Sequence, residues 1–156
     1  GYNTNAKMNP PLRTKADVAA LQQGLKDGTI DLLVTDHAPH HYDEKEREFA
    51  DAPNGIVGLE TALGVNITYL VETGILTLNE MVHRMSCLAA RIWHLPGGTL
   101  SKGSLGDVTV FDPKKRWVVD PKQFKSKGRN TPYGGHTLTG QAICTIVGGK
   151  IVHQVS

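Results

Sequence analysis

The sequence has no run of apolar residues near the roughly 18 needed to span a bilayer, and its first residues lack the apolar core of a secretory signal. It has only two cysteines, Cys87 and Cys144, which lie far apart and form no CxxC pair. A disulfide framework is therefore not expected, and a reducing cytoplasm is the expected compartment. Both cysteines stand in apolar runs, which favours buried packing.

A strong excess of charge is also missing, because 17 Lys and Arg are balanced by 15 Asp and Glu for a net charge of +2. We therefore expect neither a nucleic acid nor a membrane surface as a partner. Of the 156 residues, 39% are hydrophobic and 21% are charged, which is the composition of a folded globular protein rather than a disordered one.

Apolar residues at helical spacing predict three helices in the first part of the chain. The first begins near Thr14, which can form a capping box with Asp17, and it ends at Gly28. The second runs over about residues 56–72, and the third begins at Thr77 with another capping box. The charged stretch 43–48 is predicted to be a loop or a short helix.

The predicted strands differ on the two sides of Pro96. On its N-terminal side there is one, Ile30 to Thr35, a short apolar run after a helix that is typical of a buried parallel strand. After it, shorter segments predict strands and one hairpin with Gly148-Gly149 at its turn, and these segments are 107–112, 117–119, 142–147 and 150–154. The sequence thus predicts an α/β protein with an α/β part at 1–96 and a β part at 97–156, and the β part contains a polar loop rich in Lys and Gly at 121–135.

The strongest local signal for chemistry is Asp36, which follows the predicted strand directly and is followed by His37, His40 and His41. Ligands of parallel α/β folds sit outside the carboxyl ends of strands. A carboxylate there can bind a divalent metal through one oxygen and accept a proton from water through the other. The alternative is a turn-forming or helix-capping aspartate beside histidines that cluster by chance.

Two further segments are candidates for ligand contacts. In Asn9-Pro10-Pro11-Leu12-Arg13 the prolines stiffen the backbone, so the segment either presents Asn9 or Arg13 at a fixed position or is a rigid linker. In Pro53-Asn54-Gly55 the backbone N–H groups could bind a carboxylate, or the segment is a plain helix start.

These segments occur together and in order, and the set resembles the last third of bacterial class I dihydroorotases. The motifs are Asn9 to Arg13, then Thr35-Asp36-His37-Ala38-Pro39-His40, then Gly55-Ile56-Val57-Gly58-Leu59-Glu60-Thr61. The stretches 97–112 and 140–152 resemble the return of the chain to the small β domain of the amidohydrolase superfamily. The resemblance covers essentially the whole chain.

The resemblance implies the C-terminal portion of a metal-dependent (β/α)₈ barrel at 1–96 and a β-sandwich segment at 97–156. It implies reversible hydrolysis of dihydroorotate to N-carbamoyl-aspartate in pyrimidine synthesis. Asp36 would be the metal ligand after the eighth strand and the general acid/base. Asn9, His40, Asn54 and Gly55 would contact substrate, although the family usually has an aromatic residue where Asn54 stands.

The family's His-x-His metal ligands do not occur in this sequence. The resemblance therefore implies one or two zinc ions, most of whose ligands lie outside this chain. It also implies that this chain is inactive without the N-terminal part of the same enzyme. A homo-oligomer is expected. Two alternatives stay open, a non-catalytic relative that binds a partner such as aspartate carbamoyltransferase, and a hydantoinase or allantoinase. A histidine four residues after Asp36 suits a substrate that bears a carboxylate.

Overall fold

The structure is a computed structural model that describes residues 1–155, so Ser156 at the end of the predicted β segment lies outside the described residues. Helix α1 spans Lys15–Asp27. Asp17 Oδ2 accepts hydrogen bonds from Thr14 N–H at 2.9 Å and from Thr14 Oγ1 at 2.7 Å. Gly28 follows the helix with a φ of 84°, a conformation that residues with a Cβ rarely adopt. The predicted beginning and end of this helix are confirmed.

The run Ile30 to Thr35, predicted as a strand, forms no β-ladder with any described residue. The chain that follows it makes one isolated parallel bridge, between His37 and Ile56. A strand needs a neighbour that accepts and donates backbone hydrogen bonds over several residues, and the described chain supplies one only at that bridge. The strand prediction is therefore wrong for this structure.

A short helix, α2, spans Tyr42–Lys45 in the charged stretch, as predicted. His41 caps it, because its Nδ1 accepts a hydrogen bond from Asp43 N–H at 3.3 Å. Glu44 Oε2 in turn accepts from the His41 backbone N–H at 3.2 Å. This reciprocal pair satisfies two N–H groups at the helix start.

Two longer helical stretches follow, and each contains a π-helical turn. The first is α3 (Ala62–Asn66) continued by a π turn (Ile67–Val71), and the second is α4 (Leu78–Val82), a π turn (His83–Cys87) and α5 (Leu88–Ile92). The first begins later than predicted because nearby backbone groups bind elsewhere. Ile56 O accepts from Ala38 N–H at 3.0 Å, and Val57 N–H donates to Asn130 O at 3.0 Å.

Strands β1 (Val108–Val118), β2 (Thr137–Val147) and β3 (Lys150–Gln154) form one sheet with β2 in the middle. Strands β2 and β3 are antiparallel, with Val147 opposite Lys150. Gly148 and Gly149 join them with φ values of 56° and 78°, which suit a tight hairpin turn. The predicted hairpin is confirmed, whereas the two candidate strands at 107–112 and 117–119 belong largely to the single strand β1.

The chain divides into two compact units, each built from three stretches. The first unit comprises Gly1–Ala19, Thr35–Ala62 and Val118–Thr137, and the second comprises Ala20–Val34, Leu63–Trp117 and the chain from Leu138 onward. Helices and a β-sheet occur together, as the predicted α/β class requires. The assignment of 1–96 to a barrel and of 97–156 to a sandwich stays a prediction.

The second unit has an apolar core, in which the most buried side chains are Leu25, Ile67, Leu76 and Met81. The helical stretches 62–71 and 78–87 supply most residues of this cluster, as their apolar periodicity predicted. Leu59 and Ile92, which the same periodicity places on the inward faces, are instead 61% and 43% exposed. The first unit also contains two 3₁₀ turns, at Thr4–Ala6 and Pro121–Gln123. Among the described residues, no helix combines the length and the apolar character that a membrane crossing requires.

Candidate active site

Asp36 lies at the exposed end of the extended segment, immediately before the His37 bridge. Its φ of 45° is in the left-handed region, which is uncommon for a residue with a side chain although aspartate tolerates it better than most. Within residues 1–155, no hydrogen bond or ion pair engages its carboxylate. The carboxylate is accessible and unpaired, so it is available for chemistry. The uncommon backbone conformation of Asp36 is a further reason to assign this residue a function.

His37, a further candidate from the sequence, has a structural role instead. Its Nδ1 accepts hydrogen bonds from the backbone N–H groups of Gly58 at 3.1 Å and Leu59 at 3.3 Å. Two donors on Nδ1 place the ring proton on Nε2, which lies 3.5 Å from Ser126 Oγ. The ring therefore ties the segment after Asp36 to residues 58 and 59.

His40 is held from three directions. Its backbone N–H donates to Asn130 Oδ1 at 3.1 Å, and its ring Nε2 lies 2.9 Å from Asn54 O. Its ring Nδ1 lies 3.3 Å from Glu44 Oε2. Hydrogen bonds from the His41 backbone and from His40 hold the pKa of Glu44 below its ordinary value, so this carboxylate is ionised at neutral pH.

Gly55 is buried and has a φ of 134°, which only glycine adopts without strain. A Cβ at this position would lie 2.7 Å from Ala38 Cβ and 3.1 Å from His40 Nε2. Asn54 is exposed, and its carbonyl group faces the His40 ring. The structure thus brings His40, Asn54 and Gly55 together, while their roles toward substrate stay predictions.

Asn9 is exposed, and no hydrogen bond joins it to the other predicted site residues in the described part of the chain. Its segment is nevertheless tied to the site two residues earlier, because Gly55 N–H donates to Lys7 O at 2.9 Å. The Lys7 ammonium group donates to Ala50 O at 2.9 Å and to Ala52 O at 2.6 Å.

Lys45 is a residue that the sequence analysis missed. Its side chain is buried with 3% of the residue exposed, and its Nζ donates to Pro53 O at 2.8 Å and to Gly55 O at 3.2 Å. Burial, together with the charge of Lys7, lowers the pKa of Lys45. Lys7 and Lys45 thus bind four carbonyl oxygens of residues 50–55, the segment that ends in the predicted substrate contacts.

Asn130 was also missed, because the sequence predicts only a polar loop at 121–135. It is buried with 3% exposed, and its side chain bonds to both the 38–40 segment and Gly55. Neither residue carried a sequence signal, since a lysine in a charged run and an asparagine in a polar loop are ordinarily solvated.

A cleft of about 590 Å³ in the first unit is lined by His40, Lys45 and Asn130 among others. Its lining includes neither Asp36 nor Gly55, so this cleft is not the predicted site. No group of three or more His, Cys, Asp or Glu side chains among the described residues could hold a metal ion. Since a catalytic zinc takes about three protein ligands, the described residues do not fit a complete zinc site, and Asp36 alone could supply one ligand.

Solved structures of hydantoinases have the same fold over nearly all of this chain. The L-hydantoinase (dihydropyrimidinase) from Arthrobacter aurescens matches with a TM-score of 0.91 and 32% identity, over 98% of this chain and 35% of its own. The D-hydantoinase from a Thermus species matches with a TM-score of 0.86 and 29% identity, over 97% and 34%. The fold of this chain is therefore similar to that of about a third of each of these hydantoinases. No family model matches the chain.

Curated dihydroorotases are more similar in sequence. Those of Pelobacter propionicus and Geobacter metallireducens are 54% and 55% identical to this chain over 154 residues, which is 99% of the chain. The predicted similarity to dihydroorotases is confirmed. The chain spans about a third of the length of these relatives, 36% in both cases.

Proposed function

We propose that the protein is a dihydroorotase, which reversibly hydrolyses the cyclic amide of dihydroorotate to N-carbamoyl-aspartate, and that this chain carries the acid/base carboxylate and part of the substrate site. The observation that carries the proposal is identity of 54–55% to curated dihydroorotases over 99% of the chain, against 32% to the hydantoinase. The geometry supports it, because a free carboxylate and a braced histidine loop lie within one unit.

Asp36 is the residue to which we assign proton transfer. Its carboxylate would accept a proton as water adds to the ring carbonyl and would return that proton to the leaving amide nitrogen. Its exposure and its lack of a partner in the described chain leave both oxygens available. In this proposal Asp36 is also one ligand of a zinc site whose other ligands lie in the two thirds of the relatives' length that this chain does not span.

His40, Gly55, Asn54 and Asn9 are proposed substrate contacts. The His40 ring carries an N–H that can bind a substrate carboxylate once it turns from Asn54 O, 2.9 Å away. A backbone contact at Asn54 or Gly55 does not depend on a side chain, so the asparagine at 54 is compatible with this role. Because Asn54 O and both Gly55 backbone groups bond within the chain, substrate would replace one of these bonds to reach them.

The test uses the full-length protein and its Asp36→Asn variant, which keeps the shape of the side chain and removes the base. We expect dihydroorotate turnover in the wild type and a kcat lowered by about 10²- to 10⁴-fold in the variant. Asp31→Asn, an exposed aspartate five residues earlier, is the matched control and should keep its turnover. Undiminished turnover by Asp36→Asn would refute the role assigned to Asp36.

A hydantoinase activity is the second candidate, because hydantoinases share the fold at a TM-score of 0.91. Parallel assays of the wild-type protein with dihydroorotate and hydantoin separate the two. Turnover of hydantoin alone would replace the proposal.

A non-catalytic relative that binds aspartate carbamoyltransferase is favoured by the incomplete metal ligand set. Co-elution with the transferase in the absence of any turnover or bound zinc would support that reading instead.

A further inference from the structure

The segment 125–130 contacts residues 37–40 and the stretch from Gly55 to Glu60. Glu60 accepts hydrogen bonds from the backbone N–H groups of Lys125 at 2.8 Å and Ser126 at 3.0 Å. Ser126 Oγ also lies 3.5 Å from the Nε2 of His37, the residue that follows Asp36. This segment lies far from the site in sequence, so its contacts are tertiary ones that pair two separate loops.

Asn130 is the central residue of these contacts. Its Oδ1 accepts from His40 N–H at 3.1 Å, and its Nδ2 donates to Ala38 O at 2.9 Å and to Gly55 O at 3.1 Å. Its backbone O accepts from Val57 N–H at 3.0 Å. One side chain therefore uses a donor and an acceptor to fix the spacing between the His40 loop and the Gly55 loop.

Burial makes this arrangement rigid. Asn130 is 3% exposed, so its amide group has few alternatives in water, and an unmade bond would leave buried polar groups unpaired. Gly128 allows the close approach, because a Cβ there would lie 2.7 Å from Pro39 Cβ and 2.9 Å from Asn130 Oδ1. The segment fits against residues 38–40 only with glycine at 128.

We infer that Asn130 is a positioning residue for substrate binding, which holds His40 and the Gly55 backbone at the spacing the substrate requires. This inference rests on the proposed function. Asn130 does not bond to Asp36, so it acts on the substrate contacts rather than on the proton-transferring carboxylate. Its loss should therefore weaken binding more than it slows the chemical step.

The experiment compares wild type with Asn130→Asp in the full-length protein. The aspartate keeps an acceptor for His40 N–H and replaces the donor facing Ala38 O and Gly55 O with an oxygen. We expect KM for dihydroorotate to rise by about tenfold or more, while kcat changes by less than about threefold. Asn79→Asp on the exposed surface of α4 makes the same chemical change and should leave both constants unchanged.

Hydrogen exchange supplies a second readout that does not depend on activity. In Asn130→Asp, the amides of Ala38, His40 and His41 and of residues 55–58 should exchange on the order of tenfold faster, while the Met81 amide, bonded to Thr77 O at 3.0 Å, should not change. Faster exchange throughout the protein would show a general folding defect and overturn the inference.

Gly128→Ala is the second variant, since it displaces Asn130 without altering charge. It should give the same rise in KM and the same local exchange. An unchanged KM in both variants, in a wild-type protein that turns over dihydroorotate, overturns the positioning role and leaves the proposed function standing. If the wild type does not turn over dihydroorotate, the proposed function fails and the positioning role for that substrate fails with it.

Discussion

The first unit buries the polar side chains of Lys45 and Asn130 beside the apolar Val57 and Val119, whereas in the second unit the most buried side chains are apolar, including Ile67 and Met81. The buried lysine and asparagine bind backbone carbonyl groups of loops. Four buried apolar residues of the second unit form one cluster, to which helices contribute most of the members. Both units therefore have buried apolar residues, and the first unit adds buried polar side chains that bond to the backbone of its loops.

Hydrogen bonds and apolar burial differ in how strictly they fix the geometry of the groups involved. A hydrogen bond fixes the distance and the angle of the two groups that make it, whereas apolar burial is roughly proportional to area and has little directional preference. A site carried by loops needs fixed carbonyl and N–H groups, which polar side chains can provide. We therefore expect truncation of the second unit's core to reduce stability without altering the site, and loss of buried polar bonds in the first unit to alter the site or reduce stability.

The largest expected effect on stability is that of Met81→Ala. Met81 is 1% exposed, and its truncation should lower the free energy of unfolding by about 2–5 kcal/mol because it leaves a cavity. Met81→Leu conserves volume and should cost less than about 1.5 kcal/mol. Urea denaturation of the three proteins measures both values, and KM for dihydroorotate of the still-folded variants should match the wild type.

The comparison between the units would break if Met81→Ala raised KM as strongly as the Asn130 variants do. Such a result would mean that the apolar core also sets the geometry of the site. Equal stabilities of the alanine and leucine variants would instead contradict the assignment of Met81 to a tightly filled core.

Lys45→Met should have the next largest effect. Methionine keeps most of the apolar stem but leaves Pro53 O without the bond that Lys45 Nζ makes at 2.8 Å. An unpaired buried carbonyl costs about 1–3 kcal/mol, and because Pro53 is only partly buried the free energy of unfolding should fall by an amount at the lower end of that range. Thermal denaturation measures it, and Lys114→Met, an exposed lysine of β1, is the control.

The pH dependence of this difference follows from the lowered pKa of Lys45. Between that lowered pKa and the ordinary value of 10.5, the unfolded chain binds more protons than the folded one, so stability rises with pH in that range. Below it, the penalty for burying the charged form is fully present. Wild type should therefore gain stability relative to Lys45→Met as the pH rises toward 10.5, and a constant difference would contradict it.

Sequence periodicity was sufficient for the helices and the hairpin, because those features depend on neighbours within a few residues. Thr14 with Asp17, and Gly148 with Gly149, are local signals of this kind. The strand at 30–35 failed because a strand exists only with a pairing partner, which periodicity does not supply. The helix predicted from residue 56 begins at Ala62 because Val57 bonds to a residue far along the chain.

Part of the candidate site was predictable from local sequence motifs, and part was not. Asp36, His40 and Gly55 belong to sequence motifs, and the structure brings His40 and Gly55 into contact. Lys45 and Asn130 were not predictable, because their partners are carbonyl groups that every residue has. Only the folded arrangement selects which carbonyls those are, and for Asn130 they are 75 and 92 residues away.

The smallest expected effect comes from the threonine-and-carboxylate capping motif at the start of α1 and of α4. Thr14 with Asp17 in the first unit and Thr77 with Glu80 in the second form matching capping arrangements, with hydroxyl-to-carboxylate distances of 2.7 Å in both. Each Thr→Ala variant should lose on the order of 1 kcal/mol, because a capping hydroxyl is worth about that much wherever the helix lies. Equal losses would show that local motifs do not share the difference between the units.

The pH dependence sharpens this last test. Hydrogen bonds from the Thr14 side chain and backbone lower the pKa of Asp17, and those from the Thr77 backbone and side chain lower the pKa of Glu80. Such a carboxylate stabilises the fold above its ordinary pKa, and the contribution is lost as the pH falls through the lowered value. Removing the threonine hydroxyl removes part of that contribution, so the gap between wild type and each variant should shrink as thermal denaturation is repeated from pH 7 toward strongly acidic pH. A gap that widens in acid at either helix would mean that the hydroxyl acts there through something other than the ionised carboxylate.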